Sequence, residues 1–399
     1  MGLISLRLKH SYFSLEVRSQ GVTGTLRAFH LLSHLCPMFS TEISRESSPI
    51  STQVQSVRIG ILGVGRWGSH LLRNFLNHPS VTVKAVIDPC GDNLVRAKEW
   101  VDETSTVQWL TDWQAMFAVG LDAIVVATPA ETHYPIIKAA LQQGIHVLAE
   151  KPLTLTTVEA RELCDLAEKF RVQLVVDHTY LFHPAVLRGK IALDENAIGT
   201  LRYGYATRTH LGPVRQDVDV LWDLAIHDLA ILNHWVGDRP SRVSARGNGW
   251  LQNDTCTTLS PQGLADTVWA TLIYPSGFSV DLHFSWLNGD KQRRMGIVGD
   301  QGTLVFDELA AESLVIQQGY LTKGNGENDD RGFASKGPEK IALAIAHQEP
   351  LAHVCDHFIH CVLHNQPSRI SSGWLGADLV ITLVGLSESM NRNGEWVSV

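Results

Sequence analysis

Several common readings are closed off by what this chain lacks. Its six cysteines, Cys36, Cys90, Cys164, Cys256, Cys355 and Cys361, are scattered and include no C-x-x-C pair, the pattern of reduced thiols in a cytosolic protein. No stretch reaches the roughly eighteen consecutive apolar residues of a membrane span. There is no basic excess: the net charge is −8, which argues against nucleic acid or an anionic membrane as the main partner. No internal repeat is present. With 399 residues, two domains are expected, each large enough for its own core.

The first 56 residues are not patterned to join a fold. Arg7, Lys9, Arg18 and Arg27 stand against one acid, Glu16, with no sustained period. The run Ala28-Phe29-His30-Leu31-Leu32 is too short for a secretory core. Met1-Gly2 lacks the Ser or Thr at position 6 of a myristoylation motif, because Leu6 is there. Two readings stay open, an organelle transit peptide in residues 1–40 and a disordered extension or overlong start with Met38 as initiator. The second is preferred, and with it a cytoplasmic location.

What the chain does carry begins at Val57. Gly63-x-Gly65-x-x-Gly68 follows the apolar run Val57–Leu62, and Asp88 closes the next apolar run twenty positions after the third glycine. Gly63 suits a tight turn out of a strand, Gly65 a close backbone approach to a pyrophosphate, and Gly68 close packing of the following helix. Arg66 lies in the glycine turn, and the helix begun by Trp67-Gly68-Ser69-His70 aims its free N–H groups at phosphates. Asp88 stands where a carboxylate accepts from ribose hydroxyls. It is followed by Pro89 and Cys90, with no adjacent Arg or Ser to receive a 2′-phosphate, so NAD is expected over NADP.

Strands and helices then alternate. Strands are expected at Val57–Leu62, Val81–Ile87, Val107–Leu110, Ala123–Ala127, Ile145–Ala149 and Val172–Val176, with helices at Trp67–Asn77, Asp92–Val101, Asp112–Phe117, Thr132–Gln143 and Thr156–Phe170. Apolar strands separated by amphipathic helices make a parallel sheet with crossovers, a Rossmann domain over 57–176. From 177 to 399 the pattern becomes α+β with a largely antiparallel open sheet. Phe278–Trp286 alternates apolar and polar residues and pairs with Ala265–Tyr274 across Pro275-Ser276-Gly277. Further strands are expected at Leu201–Thr209, Ser241–Asn248, Arg294–Val298 and Gly302–Phe306. A surface loop is expected over Leu321–Lys340, and helices over Leu351–His364 and Trp374–Arg392.

The residues that could do chemistry sit at strand ends and on one helix. Glu150-Lys151-Pro152 follows a strand of the first sheet, so Lys151 projects toward the same crevice as the glycine turn. There a lysine can hold a substrate hydroxyl and stabilise its alkoxide. In the helix Val220–Val236, Asp223 and His227 are i and i+4, placing a carboxylate where it can orient the imidazole of a general base and favour its protonated form. A surface lysine and a satisfied core histidine are the bland alternatives.

Taken together, these motifs resemble the Gfo/Idh/MocA family, named for glucose–fructose oxidoreductase and inositol dehydrogenase. The resemblance runs from Val57 to the C-terminus. It rests on the glycine turn, on Ala127-Thr128-Pro129 with Thr132-His133, on Glu150-Lys151-Pro152, on His178-Thr179-Tyr180-Leu181-Phe182-His183-Pro184, and on Asp223-x-x-x-His227-Asp228. It implies that Lys151, Asp223 and His227 are catalytic, and that Thr128, Pro129, His133, Glu150 and Lys151 line the nicotinamide side. It also implies that His178, Tyr180 and His183 reach substrate, although His183 replaces an expected asparagine. A homodimer or homotetramer formed through the C-terminal sheet follows from the same resemblance.

Leu211-Gly212-Pro213-Val214-Arg215 resembles members that oxidise the 3-hydroxyl of UDP-linked amino sugars, with Arg208 and Arg215 as phosphate or carboxylate partners. The expected activity is NAD-dependent oxidation of a secondary hydroxyl of a sugar or sugar derivative. Inositol or free-sugar dehydrogenases, enzymes that use NAD transiently, such as glycosidases or epimerases, and non-catalytic NAD sensors are the alternatives. His353, Cys355, His357, His360, Cys361 and His364 crowd one helical stretch, but a packing stripe of Phe358, Ile359 and Val362 accounts for the spacing, and no metal is expected.

Overall fold

A computed structural model describes residues 56–102, 105–323, 333–346 and 348–399. Residues 1–55, which hold nearly all of the expected N-terminal extension, lie outside the described residues. The first sheet contains β1 (Val57–Leu62), β2 (Val81–Ile87), β3 (Gln108–Leu110), β4 (Ala123–Val126), β5 (His146–Glu150) and β6 (Leu174–Asp177). Its order is β3-β2-β1-β4-β5-β6, and every pairing is parallel. Helices α1 (Gly68–Leu76), α2 (Gly91–Lys98), α3 (His133–Gln142) and α4 (Thr157–Phe170) connect the strands. Asp112–Phe117 is not α-helical: a 3-10 turn occupies Trp113–Ala118, with the Asp112 side chain accepting from the Gln114 N–H. Strand order reverses between β1 and β4, and a ligand crevice opens outside the carboxyl ends of the strands at such a point.

After α5 (Pro184–Asp194) the chain enters a second sheet. It consists of β7 (Leu201–Leu211), β8 (Arg242–Asn248), β9 (Thr267–Ile273), β10 (Ser279–Ser285), β11 (Leu287–Gly299), β12 (Gly302–Asp307), β13 (Leu314–Lys323), β14 (Phe333–Ala342) and β15 (Val397–Ser398). The order is β14-β13-β12-β11-β7-β10-β9-β8-β15, antiparallel except for β10 beside β7. Alternation decides its two faces. Gly204, Ala206, Val280, Leu282, Phe284, Val268, Ala270 and Leu272 are buried on one face, whereas Tyr203 and Trp269 are exposed on the other.

Two expectations about this sheet need correcting. Leu321–Lys340 is not a loop throughout: β13 runs to Lys323 and β14 starts at Phe333, forming a hairpin at the sheet edge. Edge strands face solvent on both sides, so their composition reads as a loop. Likewise β11 begins at Leu287 rather than Arg294, because Asn288, Asp290, Lys291 and Arg293 hide a strand that pairs with β7 through a register shift.

The last two helices return to the first sheet. In α7 (Pro350–His364), Phe358 meets Phe75 of α1 edge to face at 6.4 Å. In α8 (Gly373–Asn391), a Cβ on Gly376 would lie 2.7 Å from the Val176 side chain, so only glycine allows this approach. The His- and Cys-rich stretch is α7 itself, with Val354, Cys355, Phe358, Ile359 and Cys361 buried and His357 Nε2 2.8 Å from Ser368 Oγ.

Candidate active site

Each glycine of the first turn meets a different constraint. Gly63 has φ +81, and a Cβ there would lie 2.5 Å from the Ala127 carbonyl oxygen. A Cβ on Gly68 would lie 1.9 Å from the Gly63 carbonyl oxygen. Gly65 differs, since among the described residues a Cβ there meets no heavy atom within 4 Å, so the peptide faces open space of the kind a pyrophosphate occupies. Asp88 at the end of β2 is buried and accepts from the N–H groups of Val64 and Cys90, both at 2.8 Å, and from Asn93 Nδ2 at 3.0 Å. It locks the glycine turn to β2. A carboxylate offers about four acceptor sites, so capacity for a ribose hydroxyl is left. Arg66 and Trp67 are exposed on the turn.

Beyond β4, Thr128 and Thr132 are joined through their hydroxyls at 2.7 Å, and Pro129 leads into the 3-10 turn Ala130–Thr132. His133 is a brace rather than a pocket-lining residue. Its ring nitrogens lie 2.9 Å from the carbonyl oxygens of Pro152 and Thr128, and the residue is 1% exposed. Burial lowers its pKa, against the pull of those carbonyls. It thereby ties the end of β4 to the turn that carries Lys151.

Lys151 follows Glu150, the last residue of β5, and its Nζ lies 3.5 Å from the backbone oxygen of Asp223. Burial lowers the lysine pKa, while the negative charges of Asp223 and Glu150 raise it. Asp223 belongs to a π-helical turn, Leu221–Ala225, that precedes α6 (Ile226–Val236). The expected uniform α-helix is therefore widened at the candidate residue Asp223, and functional sites are a common place for such a turn.

The expected Asp223–His227 pairing is not what this turn produces. The Asp223 carboxylate accepts from Trp286 Nε1 at 3.2 Å and from Arg215 Nη1 at 3.4 Å. His227 instead packs its ring 5.1 Å from that of Tyr180. Burial, reinforced by the positive charges of Lys151 and Arg208, holds the His227 pKa well below its ordinary value rather than raising it. The imidazole is neutral at physiological pH, with a lone pair free to accept a proton.

Arg208 also departs from expectation. The alternation of β7 turns it inward beside Gly204 and Ala206, where it is 4% exposed. Its Nε and Nη2 donate to Asp228 Oδ1 at 2.9 and 2.6 Å, and Nη1 donates to the Tyr180 hydroxyl at 3.1 Å. A guanidinium so engaged is an internal strut, not a phosphate ligand. Tyr180 in turn donates to Glu308 Oε2 at 2.6 Å, which also accepts from Arg293 through Oε1 at 2.8 Å. His183 caps α5, its Nδ1 accepting from the Ala185 N–H at 3.1 Å, and stacks on Tyr180. Arg215 remains partly accessible but already pairs with Asp217 and Asp223, and its carbonyl accepts from Gln252 Nε2 at 2.7 Å. His178, directly after β6, is buried with both ring nitrogens lacking partners among the described residues.

Sequence reasoning missed four members of this cluster: Asp177, Trp286, Glu308, and Asp228 as the partner of Arg208. Asp177 closes the apolar strand β6, a position that could have marked it, and Trp286 follows the alternating strand β10. Glu308 lies beyond β12 and carries no local signal.

Comparison with known proteins follows the same lines. The model "Oxidoreductase family, NAD-binding Rossmann fold" matches residues 57–178, and the "GFO/IDH/MocA C-terminal domain" matches residues 186–305. The chain belongs to the GFO/IDH/MocA family. A UDP-N-acetylglucosamine 3-dehydrogenase from Acidithiobacillus ferrooxidans is 29% identical over 312 residues, 78% of this chain and 90% of that protein. The scyllo-inositol 2-dehydrogenase (NAD(+)) of Bacillus subtilis is 25% identical over 348 residues, 85% of this chain and 95% of that one. Among solved structures, an inositol dehydrogenase homologue from Azotobacter vinelandii, complexed with NADH and myo-inositol, shares the fold with a TM-score of 0.68 at 19% identity, covering 86% of this chain and 98% of that one. This GFO/IDH/MocA member is a dehydrogenase with an NAD-binding Rossmann fold, and the open Gly65 face and the Asp88 lock fit a dinucleotide.

Proposed function

We propose that this GFO/IDH/MocA enzyme oxidises a secondary hydroxyl of a sugar derivative, namely C3 of a UDP-linked N-acetylated amino sugar, with NAD rather than NADP. The observation that carries the chemistry is the meeting of Lys151 with the Asp223 turn while His227, one helical turn further on, stays neutral. NAD, when bound, supplies the hydride acceptor. His227 removes the hydroxyl proton. Lys151 holds the oxygen as negative charge develops on it. Asp223, fixed by Trp286, offsets the lysine's charge and holds its ammonium in place. Tyr180, carried by Arg208 and Glu308, forms the wall behind His227.

The choice of substrate rests on the Acidithiobacillus relative and on Arg215, the partly accessible cation next to Asp223. A diphosphate there would compete with Asp217 for the guanidinium. NAD is favoured over NADP because the Asp88 carboxylate repels a 2′-phosphate. Residues 57–176 and 177–399 serve as cofactor and substrate halves in this reading. The face of the second sheet carrying Tyr203 and Trp269, the latter stacked on His283 at 4.8 Å, supplies the contact of a homodimer or homotetramer. A cytoplasmic location is part of the same proposal.

The test is turnover followed at 340 nm with UDP-N-acetylhexosamines, inositols and free sugars, alongside NAD and NADP titration. Production of NADH from a UDP-amino sugar, with UDP affinity weakened by Arg215→Ala, supports the reading. Turnover of inositol or glucose without affinity for any nucleotide sugar ends the substrate assignment, and NADP bound as tightly as NAD ends the cofactor assignment. Relatives named 2,7-anhydro-N-acetylneuraminate hydratase, 24% identical, favour a second reading in which NAD is recycled in place. Product formed without accumulated NADH would select it.

A further inference from the structure

Below Lys151, two acids face each other across neighbouring strands. Glu150 ends β5 and Asp177 ends β6, and the two are paired in register. They are 9% and 1% exposed. Glu150 Oε2 accepts from the Lys151 N–H at 3.2 Å, and Asp177 Oδ1 accepts from Thr179 Oγ1 at 2.7 Å. The second oxygen of each, Glu150 Oε1 and Asp177 Oδ2, is buried without a partner among the described residues. Buried polar atoms are almost always satisfied. Two orphaned oxygens on adjacent registered carboxyls are both satisfied if the pair holds one proton.

Among the described residues, the cation that adjoins the pair is Lys151. Lys151 follows Glu150. His178 and Thr179 follow Asp177, and the Trp67 indole of the glycine turn and Cys355 of α7 face Asp177. His178 is held neutral by burial. Burial and then the Asp177 charge push the Glu150 carboxyl well up, and burial also raises Asp177. Like charges this close do not both ionise.

We propose that Glu150 and Asp177 form a proton-sharing carboxyl pair whose single buried negative charge makes the site prefer the cationic oxidised nicotinamide to the neutral reduced one. The cofactor half of this inference rests on the function proposed above; the shared proton does not. Oxidised nicotinamide carries a positive ring that reduction removes, so one fixed negative charge acts on one form only. The pair thereby favours release of the reduced cofactor after turnover. Neither acid touches the reacting hydroxyl; both set the charge of the site.

The shared proton makes a distinctive prediction. Replacing either acid by its amide leaves the other ionised, so the net charge does not change. Replacing both removes it. In the unliganded protein at neutral pH, the infrared carbonyl band of a protonated carboxyl should be present in the wild type and absent from Glu150→Gln and from Asp177→Asn. In equilibrium binding, the ratio of NADH to NAD dissociation constants should stay within about threefold in each single variant and fall about tenfold or more in the double variant. No such band in the wild type, or single variants that shift the ratio as far as the double, would overturn the shared proton. An unchanged ratio in a folded double variant would overturn the effect on the cofactor. If no dinucleotide binds the wild type, the cofactor reading fails, and the infrared result alone decides whether the proton is shared.

Discussion

The indole N–H of Trp286 donates to Oδ2 of Asp223 at 3.2 Å, from a residue that is itself fully buried. This bond fixes the Asp223 carboxylate, while the backbone oxygen of the same residue lies 3.5 Å from Lys151 Nζ, and among the described residues no hydrogen bond joins that carboxylate to His227. Trp286→Phe keeps the aromatic body and removes the donor. Turnover should fall by roughly 10- to 100-fold, the worth of a hydrogen bond to a charged group, with NAD affinity unchanged. Steady-state kinetics with a dinucleotide titration check this, and unaltered turnover would show that the bond has no catalytic part.

His227 is already deprotonated at neutral pH because burial and neighbouring cations hold its pKa well below the ordinary value. The pH profile of kcat/KM should therefore be flat as pH falls from about 8 through the usual histidine value near 6.5, with the acid limb appearing only below it. An acid limb centred at or above about 6.5 would mean that the histidine is stabilised in its protonated form.

Burial, with the charge of Lys151 adding to it, pushes His178 down to about 3. The unfolded chain takes up a proton there below about 6.5, and the folded chain does not until far lower pH. Its contribution is thus complete above the unfolded pKa and is lost as pH falls toward 3, by roughly 1.4 kcal/mol per unit. His178→Gln should flatten the acid decline in unfolding free energy by about one proton. Denaturant titrations at several pH values measure it; an unchanged slope would mean that His178 does not resist protonation.

Arg208 and Asp228 form a buried ion pair, with 5% and 2% of their side chains accessible. Asp228→Ala removes the closer carboxylate partner of a buried guanidinium, leaving Glu308 Oε2 at 3.9 Å, and should destabilise the protein by about 3–5 kcal/mol in denaturant unfolding. A loss below about 1 kcal/mol would place the pair in effective contact with water.

Much of the site was legible along the chain because its signals are local. A strand, three glycines, a helix and an acid twenty residues on define the cofactor turn by steric rules within one βα unit. The Gly63 φ of +81 and the 1.9 Å clash awaiting any side chain at Gly68 are those rules in three dimensions. Strand-end positions likewise put Lys151 at the crevice.

Which residue meets which was settled only by tertiary structure. Parity along β7 sends Arg208 inward, but its commitment to Asp228 depends on a helix packed against that strand. The i, i+4 spacing of Asp223 and His227 promised a pair until the π-turn and Trp286, 63 positions away, drew the carboxylate elsewhere. Glu150 and Asp177 are 27 residues apart and become partners through sheet register alone. Sequence determines backbone conformation through short-range sterics and periodicity. The protonation state of a buried group depends on the charges and solvent that distant segments bring to it, and those are fixed only when the chain has folded.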